Sequence, residues 1–183
     1  MNRKKRNQIE LLATDILRSH NAYFAPINIE NIVNSYGINI EPIDFGDEIA
    51  GVFIDDGERQ TIGYNLNNKA PRQKFTIAHE FGHFILEHKR NGVFVDNPHQ
   101  YLTMIYRDEK STTGEYLQEK EANAFAAAIL MPKELVENEI REIYFQDDFK
   151  TEDLNLVGVL ADKFKVSLQA MSIRMTNLDL DLI

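Results

Sequence analysis

The stretch that decides the fold runs from Phe75 to His88 and reads F-T-I-A-H-E-F-G-H-F-I-L-E-H. Residues 79–83 spell an H-E-x-x-H pattern. In an α-helix, residues four positions apart lie on the same face, so His79 and His83 can offer two imidazoles to one ion. Glu80 lies beside them, within reach of a water on that ion. This is the arrangement of zinc hydrolases, in which a carboxylate takes the proton of the water.

The same stretch predicts a helix that is buried on most sides. Pro71 fits the first turn, where its missing N–H costs no hydrogen bond. Gly82 is about 1 kcal/mol less favourable than Ala in a helix, but it leaves room for another backbone or a substrate to approach. Apolar residues surround much of the circumference: Phe75, Ile77, Ala78, Phe81, Phe84, Ile85 and Leu86.

Histidines and a glutamate inside such a helix need polar partners. Burying an unpaired polar group costs roughly 2–7 kcal/mol, and a metal ion would remove that cost. The alternative is a pair of core histidines that only hydrogen-bond to the backbone. The five-residue pattern does not exclude this by itself.

Composition describes an ordinary globular protein. The chain has 183 residues, 43% hydrophobic and 27% charged, with a net charge of −9 and no cysteine. This length predicts one domain, or one domain with a small appendage. No apolar run of membrane-spanning length and no signal-peptide pattern is found. The absence of cysteines fits a cytoplasmic protein, which is the location we expect. The acidic balance argues against a nucleic-acid binder, and any metal site must use His, Asp and Glu.

Periodicity along the chain predicts an α+β protein. A three-stranded, antiparallel or mixed sheet precedes the H-E-x-x-H helix, and Asp55-Asp56-Gly57 predicts a hairpin turn. The strands are predicted at residues 38–45, 50–54 and 60–65, and the helices at 7–20, 26–37, 115–131, 133–144, 154–164 and 167–175. Residues 89–114 form either a lid or binding loop, or a surface excursion with one short buried element.

A catalytic zinc needs a third protein ligand, and the helix that follows residue 114 offers one. Glu119, Ala122, Asn123 and Ala126 share one stripe of this helix, and the small alanines would let it approach the histidine helix closely. Glu119 would then point at the ion, and Asn123 could hydrogen-bond to His79 or His83. Glu121 is the rival ligand, but it lies about 200° around the helix and so nearer to solvent. An alanine-rich core helix without a metal role stays open.

Two motifs resemble the ImmA/IrrE-type zinc metallopeptidases. They are R-Q-K-F-T-I-A-H-E-F-G-H-F-I-L at residues 72–86 and E-K-E-A-N-A-F-A-A-A-I-L-M-P at residues 119–132. The ending V-S-L-Q-A-M-S-I-R-M-T-N-L at 166–178 is also similar to the family, and Phe81 stands where Leu is more usual.

The resemblance implies a zincin or gluzincin-like fold with a small sheet and a mostly helical domain. It implies that His79, His83 and Glu119 are zinc ligands and that Glu80 is the general base. We expect residues 1–145 to form the metallopeptidase domain and residues 146–183 a helical C-terminal pair packed on it. It also implies a bacterial, phage or mobile-element protein that cleaves a helix-turn-helix repressor.

Three functions compete. The first is a zinc endopeptidase that relieves repression by cleaving the repressor; His99, Tyr101, Tyr106 and Arg107 are guesses for the group that stabilises its oxyanion. The second is an anti-repressor or toxin–antitoxin-type module that binds without hydrolysis. The third is a DNA-binding regulator built on the helices from Leu154 to Met175. In that segment Lys163, Lys165 and Arg174 are nearly balanced by Asp153, Asp162 and Asp179, so packing is the favoured role and we expect no direct nucleic-acid binding.

Overall fold

The structure, a computed structural model, describes residues 1–47, 49–88, 94–96, 114–145 and 155–178. Only the backbone is described for residues 94–96, Glu115 and Phe145. Within these ranges the architecture is α+β, as predicted. The elements are α1 (Arg3–Ser19), α2 (Ile29–Ser35), β1 (Asn39–Ile43), β2 (Gly51–Asp55), β3 (Gln60–Asn65), α3 (Ala70–Ile85), β4 (Phe94–Asp96), α4 (Gly114–Leu130), α5 (Lys133–Phe145), α6 (Leu156–Phe164) and α7 (Leu168–Asn177).

The sheet is mixed and has the strand order β1-β3-β2-β4. β1 runs parallel to β3, whereas β2 is antiparallel to both β3 and β4. The hairpin from β2 to β3 turns through Asp56 and Gly57, where Gly57 has a φ of 85°. The three predicted strands are present, and β4 adds a short fourth strand. Periodicity did not reveal β4, because three residues are too few to show an alternating pattern.

The helix α3 lies between the sheet and α4. Eight consecutive residues, from Thr76 to His83, are buried, so the helix is enclosed on all sides as its sequence predicts. On the sheet side, Gly51 of β2 comes so close to Thr76 that an added Cβ would lie 2.2 Å from the threonine methyl group. On the other side, α3 packs extensively against α4.

The N-terminal helices complete the core. The buried face of α1 carries Ile9, Ala13, Ile16 and Leu17, and this helix packs against α4. The side chain of Asn2 caps α1 by accepting a hydrogen bond from the amide of Lys5 at 2.9 Å. Among the described helices, none combines the length and apolar composition that a bilayer crossing requires.

The C-terminal pair, α6 and α7, is held to the rest of the chain by Arg174. This side chain is 5% exposed and donates to the carbonyl of Met131 at 2.9 Å and to both carboxylate oxygens of Glu10, with Nη2 at 2.8 Å from Oε2. Arg174 is one of the basic residues that could have made the two C-terminal helices a DNA-binding unit. Its burial removes it from any such surface.

Candidate metal centre

Close contact between α3 and α4 builds the centre. Ala122 and Ala126 are fully buried in this contact, as the alanine stripe predicts. Gly82 makes the approach possible, because an added Cβ would lie 3.0 Å from Cδ1 of Phe125 and 3.2 Å from the carbonyl oxygen of Ala122. The fully buried Phe81 packs edge-on against Phe125, with ring centroids 5.9 Å apart. The two helices are therefore fixed in register as well as in distance.

His79, His83 and Glu119 meet at this contact. The Nε2 atoms of the two histidines are 3.0 Å apart. The Glu119 carboxylate lies 3.2 Å from Nε2 of His79 and 3.3 Å from Nε2 of His83. One ligand atom from each residue lies within 4.8 Å of the others, which makes these residues a group that could hold a metal ion. This is the predicted set of ligands.

The donor set fits zinc. Ligands of a tetrahedral zinc ion with bonds of about 2.0–2.1 Å are separated from one another by roughly 3.3 Å. The separations of 3.0 to 3.3 Å between the side-chain atoms are close to that value. Two imidazoles and a carboxylate suit a borderline cation such as Zn²⁺ better than a harder one.

The electrostatics of Glu119 agree with a ligand role. Burial by itself would raise the pKa of this carboxyl group, but hydrogen bonds and charge interactions with the His79 and His83 rings outweigh burial when these rings carry protons on Nε2 and no cation is bound. They hold the pKa well below its usual range. Glu119 therefore carries a negative charge at neutral pH, the state that metal binding requires.

The ring nitrogens that face away from the centre also have partners. His79 places Nδ1 2.9 Å from Oδ1 of Asn123, as the helical spacing predicts. The amide oxygen accepts the Nδ1–H, which leaves the electron pair of Nε2 directed at the centre. The alternative, in which the core histidines hydrogen-bond only to the backbone, is therefore wrong for His79.

Glu80 lies in the same turn of α3, and its side chain is fully buried, with 0% exposure. Keeping a carboxylate out of water costs considerable free energy, and residues placed so are often retained for chemistry. Glu80 therefore remains the candidate general base that the H-E-x-x-H pattern predicts.

His88 was not predicted as part of the centre, and the exposure predicted for Glu121 was wrong. His88 places Nδ1 2.8 Å from Nδ1 of His83, and its Nε2 lies 3.3 Å from Oε2 of Glu121. Glu121 was expected nearer to solvent than Glu119, yet both side chains are 19% exposed. The reason is that His88 and Lys5 cover the face of α4 on which Glu121 lies. His99, Tyr101, Tyr106 and Arg107 lie outside the described residues, as does most of the predicted loop at residues 89–114. The described part of that loop includes β4 at residues 94–96.

A buried helix with two histidines one turn apart, completed by a glutamate from a later helix, defines the zincin class. The sequence model of the IrrE N-terminal-like domain family, Peptidase M78, matches residues 33–176. The chain therefore belongs to this family, and the predicted ImmA/IrrE-type relationship is confirmed.

Structural comparison agrees at the level of the fold. A Mycobacterium tuberculosis transcriptional regulator superposes with a TM-score of 0.62 at 12% sequence identity. The match covers 96% of this chain and 48% of the regulator, so the chain spans about half of that protein. A search of curated protein sequences gives no significant match.

Proposed function

We propose that the protein is a zinc-dependent endopeptidase. The observation that carries the proposal is the convergence of His79, His83 and Glu119 within 4.8 Å, with the fully buried Glu80 directly after His79 in the chain. Membership of the Peptidase M78 family supports protease activity. The proposed ligands are His79, His83 and Glu119, and the proposed general base is Glu80.

The mechanism assigns separate tasks to these side chains. A bound zinc ion would supply a water whose pKa is lowered towards about 7. Glu80 accepts a proton from the attacking water and returns it to the leaving nitrogen, so that one carboxylate serves as base and then as acid. Zinc binding would use His79 and His83 in their neutral form and Glu119 as a carboxylate.

The proposed substrate is a helix-turn-helix transcriptional repressor, whose cleavage would relieve repression. The family resemblance supports this choice, and the superposed protein is itself described as a transcriptional regulator. Because a transcriptional repressor acts in the cytoplasm of a bacterium, we also propose a cytoplasmic location for this protein.

Glu80→Gln tests the mechanism. The amide keeps the size of the side chain but cannot accept the proton, so we expect cleavage of the proposed repressor substrate to fall by about 10²–10⁴-fold. Zinc content by elemental analysis should stay at the wild-type level. Glu87→Gln is the matched control, because Glu87 is an exposed glutamate at the end of the same helix. Cleavage by Glu80→Gln at the wild-type rate would contradict the mechanism.

The second candidate is an anti-repressor or toxin–antitoxin-type module that binds its partner without hydrolysis. The likeness of this chain to half of a transcriptional regulator favours it. Incubation with the repressor, with and without a chelator, separates the two functions. Chelator-sensitive fragments support the peptidase, whereas a stable complex of intact proteins that survives the chelator supports the binding module.

Direct DNA binding by α6 and α7 is the weakest candidate. Lys163 pairs with Glu139 at 3.1 Å and Lys165 pairs with Asp162 at 2.8 Å, while Arg174 is buried. The basic side chains of this pair are thus engaged with carboxylates of the chain. A salt-dependent mobility shift of duplex DNA at modest protein concentration would contradict our conclusion that these helices do not bind DNA.

A further inference from the structure

The contact between His83 and His88 requires a special chain path. After α3 ends at Ile85, Glu87 adopts a left-handed conformation with a φ of 52°. The amide of His88 then donates to the carbonyl of His83 at 3.1 Å, and that of Glu87 donates to Phe84 at 3.1 Å. This pair of bonds is the Schellman ending of a helix, which usually has Gly at the left-handed position. It folds the His88 ring back onto the last turn of α3.

The hydrogen-bond partners decide which ring nitrogens carry protons. The carboxylate of Glu121 can only accept, so the nitrogen facing it, Nε2 of His88, carries a proton. In a neutral ring the Nδ1 of His88 is then an acceptor, and it lies 2.8 Å from Nδ1 of His83. His83 can then donate through Nδ1–H, which leaves an electron pair on Nε2, the atom that faces Glu119 and His79. Because the Glu119 carboxylate would itself accept a proton from Nε2, this tautomer is the one that a bound cation requires.

The opposite assignment is unfavourable. If His83 carried its proton on Nε2, the proton would occupy the position of the metal. His88 would then donate through Nδ1, and its Nε2 electron pair would face the Glu121 carboxylate. Glu121 is held in place from the other side by Lys5 of α1, whose Nζ lies 3.1 Å from Oε2.

We propose that His88 and Glu121 are positioning residues that hold His83 in the tautomer with Nδ1 protonated and Nε2 free to bind a cation. The proposal rests on the metal site of the proposed function. In this arrangement Glu121, the rival candidate for the third ligand, contacts His88 instead of the centre. Asn123 orients His79 through a direct hydrogen bond to its Nδ1. The two proposed histidine ligands are therefore oriented by different hydrogen-bond partners.

The test measures tautomer and metal affinity separately. Long-range ¹H–¹⁵N spectra of the metal-free protein at about pH 8 report which nitrogen of His83 is protonated, and competition with a chromophoric chelator gives the zinc dissociation constant. His88→Ala should populate both tautomers of His83 and weaken zinc binding by about 10–100-fold. Glu121→Ala should act in the same direction and should add little in the double variant, because it acts through His88.

Three controls separate positioning from general damage. His20→Ala removes a histidine at the end of α1, and Glu139→Ala removes a glutamate paired with Lys163 at 3.1 Å. Lys5→Ala loosens the tie from α1 to Glu121 but leaves the hydrogen bond to His88. All three should keep zinc binding within about threefold of the wild type, since none removes a member of the hydrogen-bonded series His83, His88 and Glu121.

Wild-type tautomers and zinc affinity in a folded His88→Ala variant would overturn the proposal. If His88→Ala does not fold, Glu121→Ala decides the question, because it removes a side chain at the edge of the core. A wild-type protein that binds no zinc would refute the proposed function. The spectra of the metal-free protein would then still decide whether His88 and Glu121 set the tautomer of His83.

Discussion

Two glutamates, Glu119 and Glu121, are two residues apart on α4 and equally exposed, yet they contact different histidines. Glu119 contacts the Nε2 atoms that converge on the centre, whereas Glu121 contacts His88 behind His83. Helical spacing selected Glu119 as the candidate ligand because it shares a stripe with Ala122 and Ala126, and Glu119 does lie beside the two histidines. The spacing could not show what covers Glu121, since this depends on a left-handed residue at Glu87 and on the packing of α1.

Substituting Glu119 distinguishes the two glutamates. Glu119→Ala removes one of the three proposed zinc ligands, so we expect stoichiometric zinc binding to be lost. Isothermal titration calorimetry measures this loss. Glu121→Ala should only weaken binding, by about 10-fold, because it lies outside the ligand set. The reverse order of effects would show that Glu121 is the ligand.

The contact between His88 and His83 could not be predicted from the sequence. The place of His88, five residues after His83, is not a helical spacing that brings side chains together. The contact forms only because the chain reverses at Glu87, and glutamate is an unusual residue at a left-handed position. A glycine there would have signalled the turn.

At the scale of elements, the separation between α3 and α4 is the quantity that the centre depends on. Gly82 sets it, because the backbone of Ala122 and the ring of Phe125 occupy the space where a side chain would lie. The H-E-x-x-H pattern and the alanine stripe together predicted this close approach. The predicted strands and helices were also found within a few residues, because each carries clear periodicity.

Gly82→Ala should therefore damage the protein although it improves helix propensity. The propensity gain is about 1 kcal/mol, whereas overpacking a tight core contact costs about 1–3 kcal/mol, so we expect a net loss of up to about 2 kcal/mol. The melting temperature should fall by a few degrees. Zinc affinity should fall as well, because the added methyl group moves Glu119 away from the histidines.

Gly114→Ala is the matched control for this substitution. It lies at the start of α4, and an added Cβ there meets nothing within 4 Å. We expect stability equal to or above that of the wild type. A Gly82→Ala variant with unchanged melting temperature and zinc affinity would show that the helix separation is not critical.

At the scale of the whole molecule, long-range contacts organise the helices around α4. α1 packs on α4, and Arg174 of α7 bonds to Glu10 of α1 and to Met131 just beyond α4. Sequence periodicity predicted these helices but not their mutual placement, because a buried arginine gives no signal that distinguishes it from an exposed one. The division into residues 1–145 and 146–183 stays a prediction.

Anomalous diffraction at the zinc edge, from crystals of zinc-reconstituted protein, tests the central claim most directly. We expect one peak, bonded at about 2.0–2.2 Å to Nε2 of His79, Nε2 of His83 and the Glu119 carboxylate, with an open fourth position. Glu80 should lie within about 3.2 Å of the water in that position. Absence of a peak there, or a zinc ion bound by His88 and Glu121 with Glu119 turned away, would contradict the proposed hydrolytic centre.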